Sequence, residues 1–177
     1  MPGLTVLYGE EGAGKSTLLR LLAADLTPQQ GDLVLCGVSA RAERLAYQAQ
    51  VFWCDPQSDA HQALPARDYL AWHRHRHAGW LDEVLQAHLD AMDLRQHLDK
   101  PLYALSTGTL RKLRLVAAFA AGAPLTLLDD PLAALDRRSV DHVMSVLHAC
   151  QALSHRLVVV AMHQLPPGLI GVNMSAW

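Results

Sequence analysis

Short apolar runs alternate with amphipathic stretches along this chain. Apolar runs occupy residues 4–8, 51–54, 125–128 and 157–162, and residues 32–37 form a further run bounded by glycine. Runs of this length between turn-forming residues predict strands. The run at 157–162 is continuous and β-branched, as expected of a central strand in a parallel sheet. The pattern therefore predicts a mostly parallel sheet.

Helical periodicity fills most of the remaining chain. Residues 18–22 predict a helix, residues 140–147 are amphipathic, and the pattern from about 65 to 121 is helical. In that block, one helix face contains Leu81, Val84, Leu85, His88 and Leu89. Strands that alternate with helices predict an α/β fold, with the sheet flanked by helices and an inserted helical subdomain. Ligands of such sheets bind at the carboxyl ends of the strands.

Composition and charge narrow the class of protein. The chain has 177 residues, 51% of them hydrophobic and 18% charged, which is typical of one globular domain. Its net charge of −2 gives no electrostatic reason to expect a nucleic-acid partner. The three cysteines are expected to be buried small hydrophobes in a reducing cytosol. The longest apolar stretch, 115–128, is too short to span a bilayer, so another polypeptide would supply any membrane part.

A glycine-rich loop joins the first predicted strand to the first predicted helix. It matches the pattern G-x-x-x-x-G-K-[ST] and comprises Gly9, Glu10, Glu11, Gly12, Ala13, Gly14, Lys15, Ser16 and Thr17. Its glycines let backbone N–H groups surround phosphate oxygens, and the positive end of the following helix adds to that anion site. Lys15 can reach the β- and γ-phosphates, and the Ser16 hydroxyl can bind Mg²⁺. The sequence therefore predicts a P-loop NTPase core rather than a turn that merely ends a strand.

Two carboxylates follow the predicted strand at 125–128. Asp129 is suited to hold Mg²⁺ through its water shell, because Mg²⁺ prefers hard oxygen ligands. Asp130 could orient the attacking water. An Asp-Asp-Pro turn explains the same residues structurally. The glycine loop favours the functional interpretation.

Several short motifs, in order along nearly the whole chain, resemble those of the ATP-binding cassette (ABC) ATPases. Residues 105–109 (LSTGT) look like the LSGGQ signature and precede a basic helix. Residues 130–136 (DPLAALD) look like the E-P-x-S-A-L-D segment that leads into the D-loop, and residues 159–163 resemble the strand and switch histidine. Gln57 stands where the Q-loop glutamine is expected, although Asp55 could occupy that position instead.

This resemblance implies a mechanism and partners. Two cassettes would face head to tail, so that Ser106 and the Gly108 N–H contact the γ-phosphate held by Lys15 of the other cassette. His163 would clamp the γ-phosphate, and Gln57 would ligate the metal, sense the γ-phosphate and report to the helical arm. ATP and Mg²⁺ are the implied cofactors.

A transmembrane permease subunit and a second cassette, identical or different, are the implied partners of a peripheral protein on the cytoplasmic face of the membrane. The chain would be one ATPase domain, 1–177, with its core at 1–57 and 123–177 and the helical subdomain at about 58–122. Within the family, residues 162–164 (MHQ) and the small size resemble the cassette of the haem exporter used in cytochrome c maturation.

Three departures from the family pattern change the expected activity. Asp130 replaces the usual catalytic glutamate, which predicts slow hydrolysis. The antiparallel β region that normally precedes the glycine loop is expected to be reduced or absent, which predicts weak base specificity. Thr107 and Thr109 replace glycine and glutamine of the signature and could crowd that loop. A regulatory cassette that hydrolyses little ATP is therefore the alternative function.

The three histidines in residues 72–77 (WHRHRH) raise the question of a metal site. Only His73 and His77 share a helix face, because they are four residues apart. Two histidines among arginines make a poor zinc site, which needs more ligands. The segment is expected to be a solvated helix surface.

Overall fold

The computed structural model describes residues 3–53 and 60–176. Its strands are β1 Gly3–Tyr8, β2 Val34–Leu35, β3 Val38–Ser39, β4 Val51–Trp53, β5 Leu125–Asp129, β6 Leu157–Met162 and β7 Gly171–Asn173. Its α-helices are α1 Lys15–Leu22, α2 Arg44–Gln48, α3 Ala66–Arg76, α4 Asp82–Ala91, α5 Thr107–Ala120 and α6 Arg137–Cys150. Short 3₁₀ helices form at Arg95–His97, Leu102–Ala104 and Met174–Ala176.

The main sheet is parallel and has the order β4-β5-β6-β1-β7. Strand β6 lies in the middle, and its residues from Val158 to Met162 are all buried. A strand covered on both faces is apolar at every position, which explains its unbroken run of hydrophobic residues. The predicted α/β fold with a parallel sheet and flanking helices is confirmed, and so is the central position of the 157–162 strand.

A small antiparallel hairpin, β2–β3, interrupts the predicted strand at 32–37. Cys36 and Gly37 form its turn, with φ angles of 47° and 83°. A two-residue hairpin turn of type I′ requires positive φ at both central residues, which glycine adopts freely. The prediction of one strand was therefore wrong beyond Leu35. Cys36 is exposed on this turn, contrary to expectation, whereas Cys150 is buried.

The chain divides into two compact units. The first comprises residues 1–54, 123–131 and 146–177, and the second comprises residues 55–122 and 132–145. The first unit contains the sheets, α1 and α2, and the second contains α3, α4 and α5. Helix α6 continues from the second unit into the first at Ser145. The grouping of both units into one ATPase domain stays a prediction.

The core of the first unit forms where α1 and α2 pack on the parallel sheet. Leu19 is fully buried in a cluster that also contains Leu7, Leu127 and Val159. Tyr47 of α2 is buried, and its hydroxyl donates a hydrogen bond to the Leu22 carbonyl at 2.9 Å. This bond satisfies the polar end of a buried aromatic side chain. Apolar burial therefore fixes α1, and with it the loop that precedes α1.

The second unit is helical, and one expectation about it was wrong. His73 of α3 and His77, which follows the last residue of α3, are buried, not solvated, with 5% and 4% of their surface exposed. Their rings stack 5.9 Å apart, and the His73 ring also packs edge-on against Tyr69. Burial lowers the pKa of His73 to about 3 and the pKa of His77 to about 4. Residues four apart share a helix face, so both histidines follow the buried Tyr69 inward.

Two glycines let the backbone of the second unit approach itself closely. A Cβ on Gly79 would lie 2.6 Å from the Gly122 carbonyl oxygen, so no larger residue fits there. The N–H of Leu81 donates to the Ala120 carbonyl at 2.9 Å beside this contact. The start of α4 is thereby fixed to the end of α5. Within the described residues, no helix has the length and apolarity needed to span a membrane.

Candidate nucleotide-binding site

Three chain segments with polar side chains leave the parallel sheet at the same edge. The pairing of Tyr8 with Met162 aligns the ends of β1 and β6, and the pairing of Asp129 with Ala161 aligns the end of β5. The glycine loop, Asp130 and His163 follow these strand ends directly. Carboxyl ends of parallel strands form the usual ligand-binding edge. The structure therefore brings these predicted site segments of the first unit together.

The glycine loop has the backbone geometry of an anion site. Gly12 and Gly14 have φ angles of 81° and 82°, which L-residues rarely adopt. A Cβ added to either glycine would meet no heavy atom of the surrounding described residues within 4 Å. Glycine is therefore required here by the positive φ angle and not by a lack of space. Gly14 precedes α1 without a side-chain cap, and the first N–H groups of α1 remain available as donors. This arrangement fits phosphate oxygens.

The Lys15 ammonium bridges two carbonyls of its own loop. Its Nζ donates to the carbonyl oxygens of Gly9 and Glu10, both at 2.7 Å. An ammonium has three N–H donors, so these bonds hold the charge over the loop while a third donor can serve an anion.

The C-terminal segment contacts this loop, and sequence reasoning missed the residue that does so. This segment forms the edge strand β7 beside β1. Beyond β7, the Ser175 Oγ accepts a 2.9 Å hydrogen bond from the Glu10 N–H. A Cβ on Gly9 would lie 2.6 Å from the same oxygen. No local sequence signal identifies a contact between the two ends of the chain.

The two acids at the end of β5 differ in backbone conformation. Asp129 ends the strand, whereas Asp130 has a φ of 45° in the left-handed region. The Asp130 N–H still donates a hydrogen bond to the Ala161 carbonyl of β6 at 2.9 Å. The chain therefore turns away from the sheet just after this bond. Aspartate tolerates this region better than most residues, and such outliers cluster at functional sites.

The donor set at this edge suits Mg²⁺. The Ser16 hydroxyl on α1 and the Asp129 carboxylate are the hard oxygen ligands that Mg²⁺ prefers. His163 follows β6 and is exposed, so a ligand can reach it. Gln57 and the alternative Asp55 lie outside the described residues.

The segment that resembles the ABC signature begins α5 in the second unit. Ser106 caps this helix, because its Oγ accepts from the Thr109 N–H at 3.1 Å and lies 2.8 Å from the Thr109 hydroxyl. Thr109 therefore takes part in a polar cap of α5. A Cβ on Gly108 would lie 2.7 Å from the Ala134 carbonyl oxygen, so glycine is needed for this approach.

The last residue of the D-loop-like segment 130–136 caps α6. Asp136 accepts hydrogen bonds from the Ser139 N–H at 2.9 Å and from the Ser139 hydroxyl at 3.0 Å. It also forms an ion pair with the Lys112 ammonium of α5. The Lys112 ammonium, followed by the Ser139 N–H, holds the pKa of the Asp136 carboxyl well below its usual range.

A strand, a glycine loop with its lysine, and a helix at the carboxyl edge of a parallel sheet define a P-loop nucleotide-binding protein. Residues 3–133 match the family profile described as ABC transporter, and the chain belongs to this family. The sequence-based recognition of the family is thus confirmed.

Curated relatives include the cytochrome c biogenesis ATP-binding export protein CcmA of Pseudomonas putida. It is 31% identical over 174 residues, which cover 97% of this chain and 83% of the relative. The protein of the same name from Legionella pneumophila is 29% identical over 164 residues, covering 93% and 81% of the two chains. Family membership identifies this chain as an ATP-binding subunit that powers an ABC transporter. It does not favour the regulatory alternative.

Solved structures share the fold. An ABC transporter ATP-binding protein from Pyrococcus furiosus aligns with a TM-score of 0.78 at 22% identity, covering 99% of this chain and 86% of that one. A dimeric ATP-binding cassette bound to ADP and Pi aligns with a TM-score of 0.73 at 19% identity, covering 92% and 75%.

Proposed function

We propose that this chain binds ATP with Mg²⁺ at the carboxyl edge of its parallel sheet and hydrolyses it to drive a transporter. The carrying observation is the register that places the ends of β1, β5 and β6 side by side. This register brings together the glycine loop, the acids Asp129 and Asp130, and His163, which come from three separate chain segments.

Each residue of the loop would have a defined part in binding. The N–H groups of residues 12–17 would donate to phosphate oxygens, and Lys15 would contact the β- and γ-phosphates. Ser16 and Asp129 would hold Mg²⁺. When bound, Mg²⁺ neutralises charge on the β- and γ-phosphoryl oxygens.

Hydrolysis would depend on Asp130 and His163. Asp130 would orient the attacking water, and the exposed His163 would donate to the γ-phosphate. An aspartate carboxylate extends roughly 1.5 Å less than a glutamate carboxylate, and a misplacement of about 1 Å can cost about 10²-fold in rate. Hydrolysis would therefore be slow. Gln57 would sense the γ-phosphate and contact the metal.

The site would be completed by a second cassette, which is identical or different. Ser106 and the Gly108 N–H would contact the nucleotide held by the other chain. Family membership supports this arrangement, and the dimeric fold relative is compatible with it. The Ser106 hydroxyl already caps α5, yet a hydroxyl carries two lone pairs and one proton and can serve a further partner.

The two units would form one ATPase domain that works with a transmembrane permease on the cytoplasmic face of the membrane. The names of the curated relatives point to export in cytochrome c biogenesis as its process. No nucleic-acid partner is proposed, because the net charge of −2 offers no attraction to a polyanion.

Binding of a fluorescent ATP analogue to the purified chain, with and without Mg²⁺, tests the site. Lys15→Ala should abolish binding, whereas Lys100→Ala, a matched change at an exposed lysine elsewhere, should leave it unchanged. Asp129→Asn should remove the dependence on Mg²⁺. Equal affinity of the wild type and Lys15→Ala would refute the proposed site.

A further inference from the structure

The peptide group that joins Gly9 to Glu10 is held from both sides. On one side its carbonyl oxygen accepts a 2.7 Å hydrogen bond from the Lys15 ammonium. On the other side its N–H donates a 2.9 Å hydrogen bond to the Ser175 hydroxyl. The C=O and N–H of a trans peptide point in opposite directions, so Ser175 and Lys15 fix one peptide plane between them.

Gly9 cannot fix the orientation of this peptide by itself. Its φ of 152° lies in a region that glycine enters freely, so rotation about its bonds is weakly restricted. A side chain cannot replace the glycine, because its Cβ would lie 2.6 Å from the Ser175 Oγ and 3.0 Å from the Ser175 nitrogen. The close approach of Ser175 therefore requires glycine at position 9. Ser175 also supplies the hydrogen bond that restrains the Gly9–Glu10 peptide.

Ser175 is itself anchored to the strand that leads into the loop. Its N–H donates to the Asn173 Oδ1 at 3.0 Å, and Asn173 pairs with Tyr8 at the end of β1. The Ser175 side chain is exposed, so it adds little to the apolar core. Its contribution at this place is the hydrogen bond to the Glu10 N–H.

We propose that Ser175 is a positioning residue for ATP binding, which acts by fixing the Gly9–Glu10 peptide that holds the Lys15 ammonium. The inference rests on the proposed function of the loop. Without the hydroxyl, the peptide can rotate and the Gly9 carbonyl leaves Lys15. The lysine then loses part of its preorganisation for the β- and γ-phosphates.

The test compares Ser175→Ala with Ser154→Ala, a matched control in the exposed turn before β6, at the opposite edge of the sheet. Binding of a fluorescent ATP analogue with Mg²⁺ is measured on the purified full chain, with Lys15→Ala as reference. Ser175→Ala should weaken binding about 2- to 10-fold, the range for one lost hydrogen bond. Ser154→Ala should bind like the wild type.

Steady-state hydrolysis by the assembled transporter adds a readout that a purely structural role would not move. Ser175→Ala should raise KM by the same factor and leave kcat unchanged, because the loop binds the ground state and the transition state alike. Thermal unfolding without nucleotide verifies that the variant is folded.

The outcomes separate this inference from the proposed function. If the wild type binds no better than Lys15→Ala, the proposed function fails. If the wild type binds and Lys15→Ala does not, unchanged affinity of Ser175→Ala overturns the role of Ser175. A fall in kcat with unchanged KM would overturn it as well.

Discussion

The carbonyl oxygen of Ala134 lies 2.7 Å from the point that a Cβ on Gly108 would occupy. Real Cβ atoms do not approach a backbone oxygen so closely, and neither atom sits at the end of a flexible side chain. The first turn of α5 and residues 132–136 therefore meet through their backbones. Both segments resemble family motifs, and the single hydrogen atom of Gly108 permits their contact.

Gly108→Ala should destabilise the protein by about 1–3 kcal/mol, the usual cost of forcing an extra carbon into a packed contact. Urea unfolding at neutral pH measures this change. Thr107→Ala, one residue earlier at an exposed position, should stay within about 0.5 kcal/mol of the wild type. Equal stability of both variants would show that the two backbones do not meet in solution.

Asp136 offers a second test of the same region, because it both caps α6 and pairs with Lys112. Asp136→Ala should lower the free energy of unfolding by about 1–2 kcal/mol through loss of the cap. Asp136→Asn keeps an acceptor for the Ser139 N–H and loses only the charge, so it should cost less. Chemical denaturation ranks the two variants. If the asparagine variant is as unstable as the alanine variant, the ion pair and not the cap stabilises this turn.

Elements with strong local patterns could be predicted, and contacts between distant segments could not. The apolar run at Leu157–Met162 defines its strand because a central position buries both faces. The candidate site at the carboxyl edge of the sheet could be predicted in the same way. The glycine loop, the acids Asp129 and Asp130, and His163 each directly follow an apolar run. The turn at Cys36–Gly37 was missed because cysteine gives no turn signal.

Burial of His73 and His77 was missed for a related reason. His73 and His77 alternate with Arg74, His75 and Arg76, and these polar neighbours hide the four-residue period. The Ser175 contact joins residues 165 positions apart, and only the pairing of β7 with β1 brings them together. No short window of sequence contains that information.

The buried histidines predict how stability depends on pH. In the folded chain the pKa of His73 is about 3 and that of His77 about 4, whereas an unfolded histidine has a pKa of about 6.5. Burial is the main cause, and nearby charge adds to it, from His77, His61 and Arg76 on His73 and from Arg76 on His77. As the pH falls below about 6.5, these two histidines bind protons in the unfolded chain but stay neutral in the folded chain.

Stability should therefore fall as the pH drops from about 6.5 towards 4, by about 1 kcal/mol per histidine at pH 5.5. The measurement is urea unfolding at pH 7.5 and pH 5.5. In His77→Gln the difference between the two pH values should shrink by about 1 kcal/mol. His75→Gln, on the exposed face of the same helix, should keep the wild-type difference. An unchanged difference in His77→Gln would contradict burial of that ring.

Asp130 allows the sharpest test of the proposed chemistry. A longer side chain at this position should speed hydrolysis, whereas the backbone conformation there disfavours it. Asp130→Glu restores the usual side-chain length, so single-turnover ATP hydrolysis by the assembled transporter should become faster, by up to about 10²-fold. The φ of 45° suits aspartate better than glutamate, so the same variant should unfold more easily. Asp130→Asn is the matched control and should bind ATP without hydrolysing it. Hydrolysis that is unchanged or slower in Asp130→Glu would show that reach does not limit the rate.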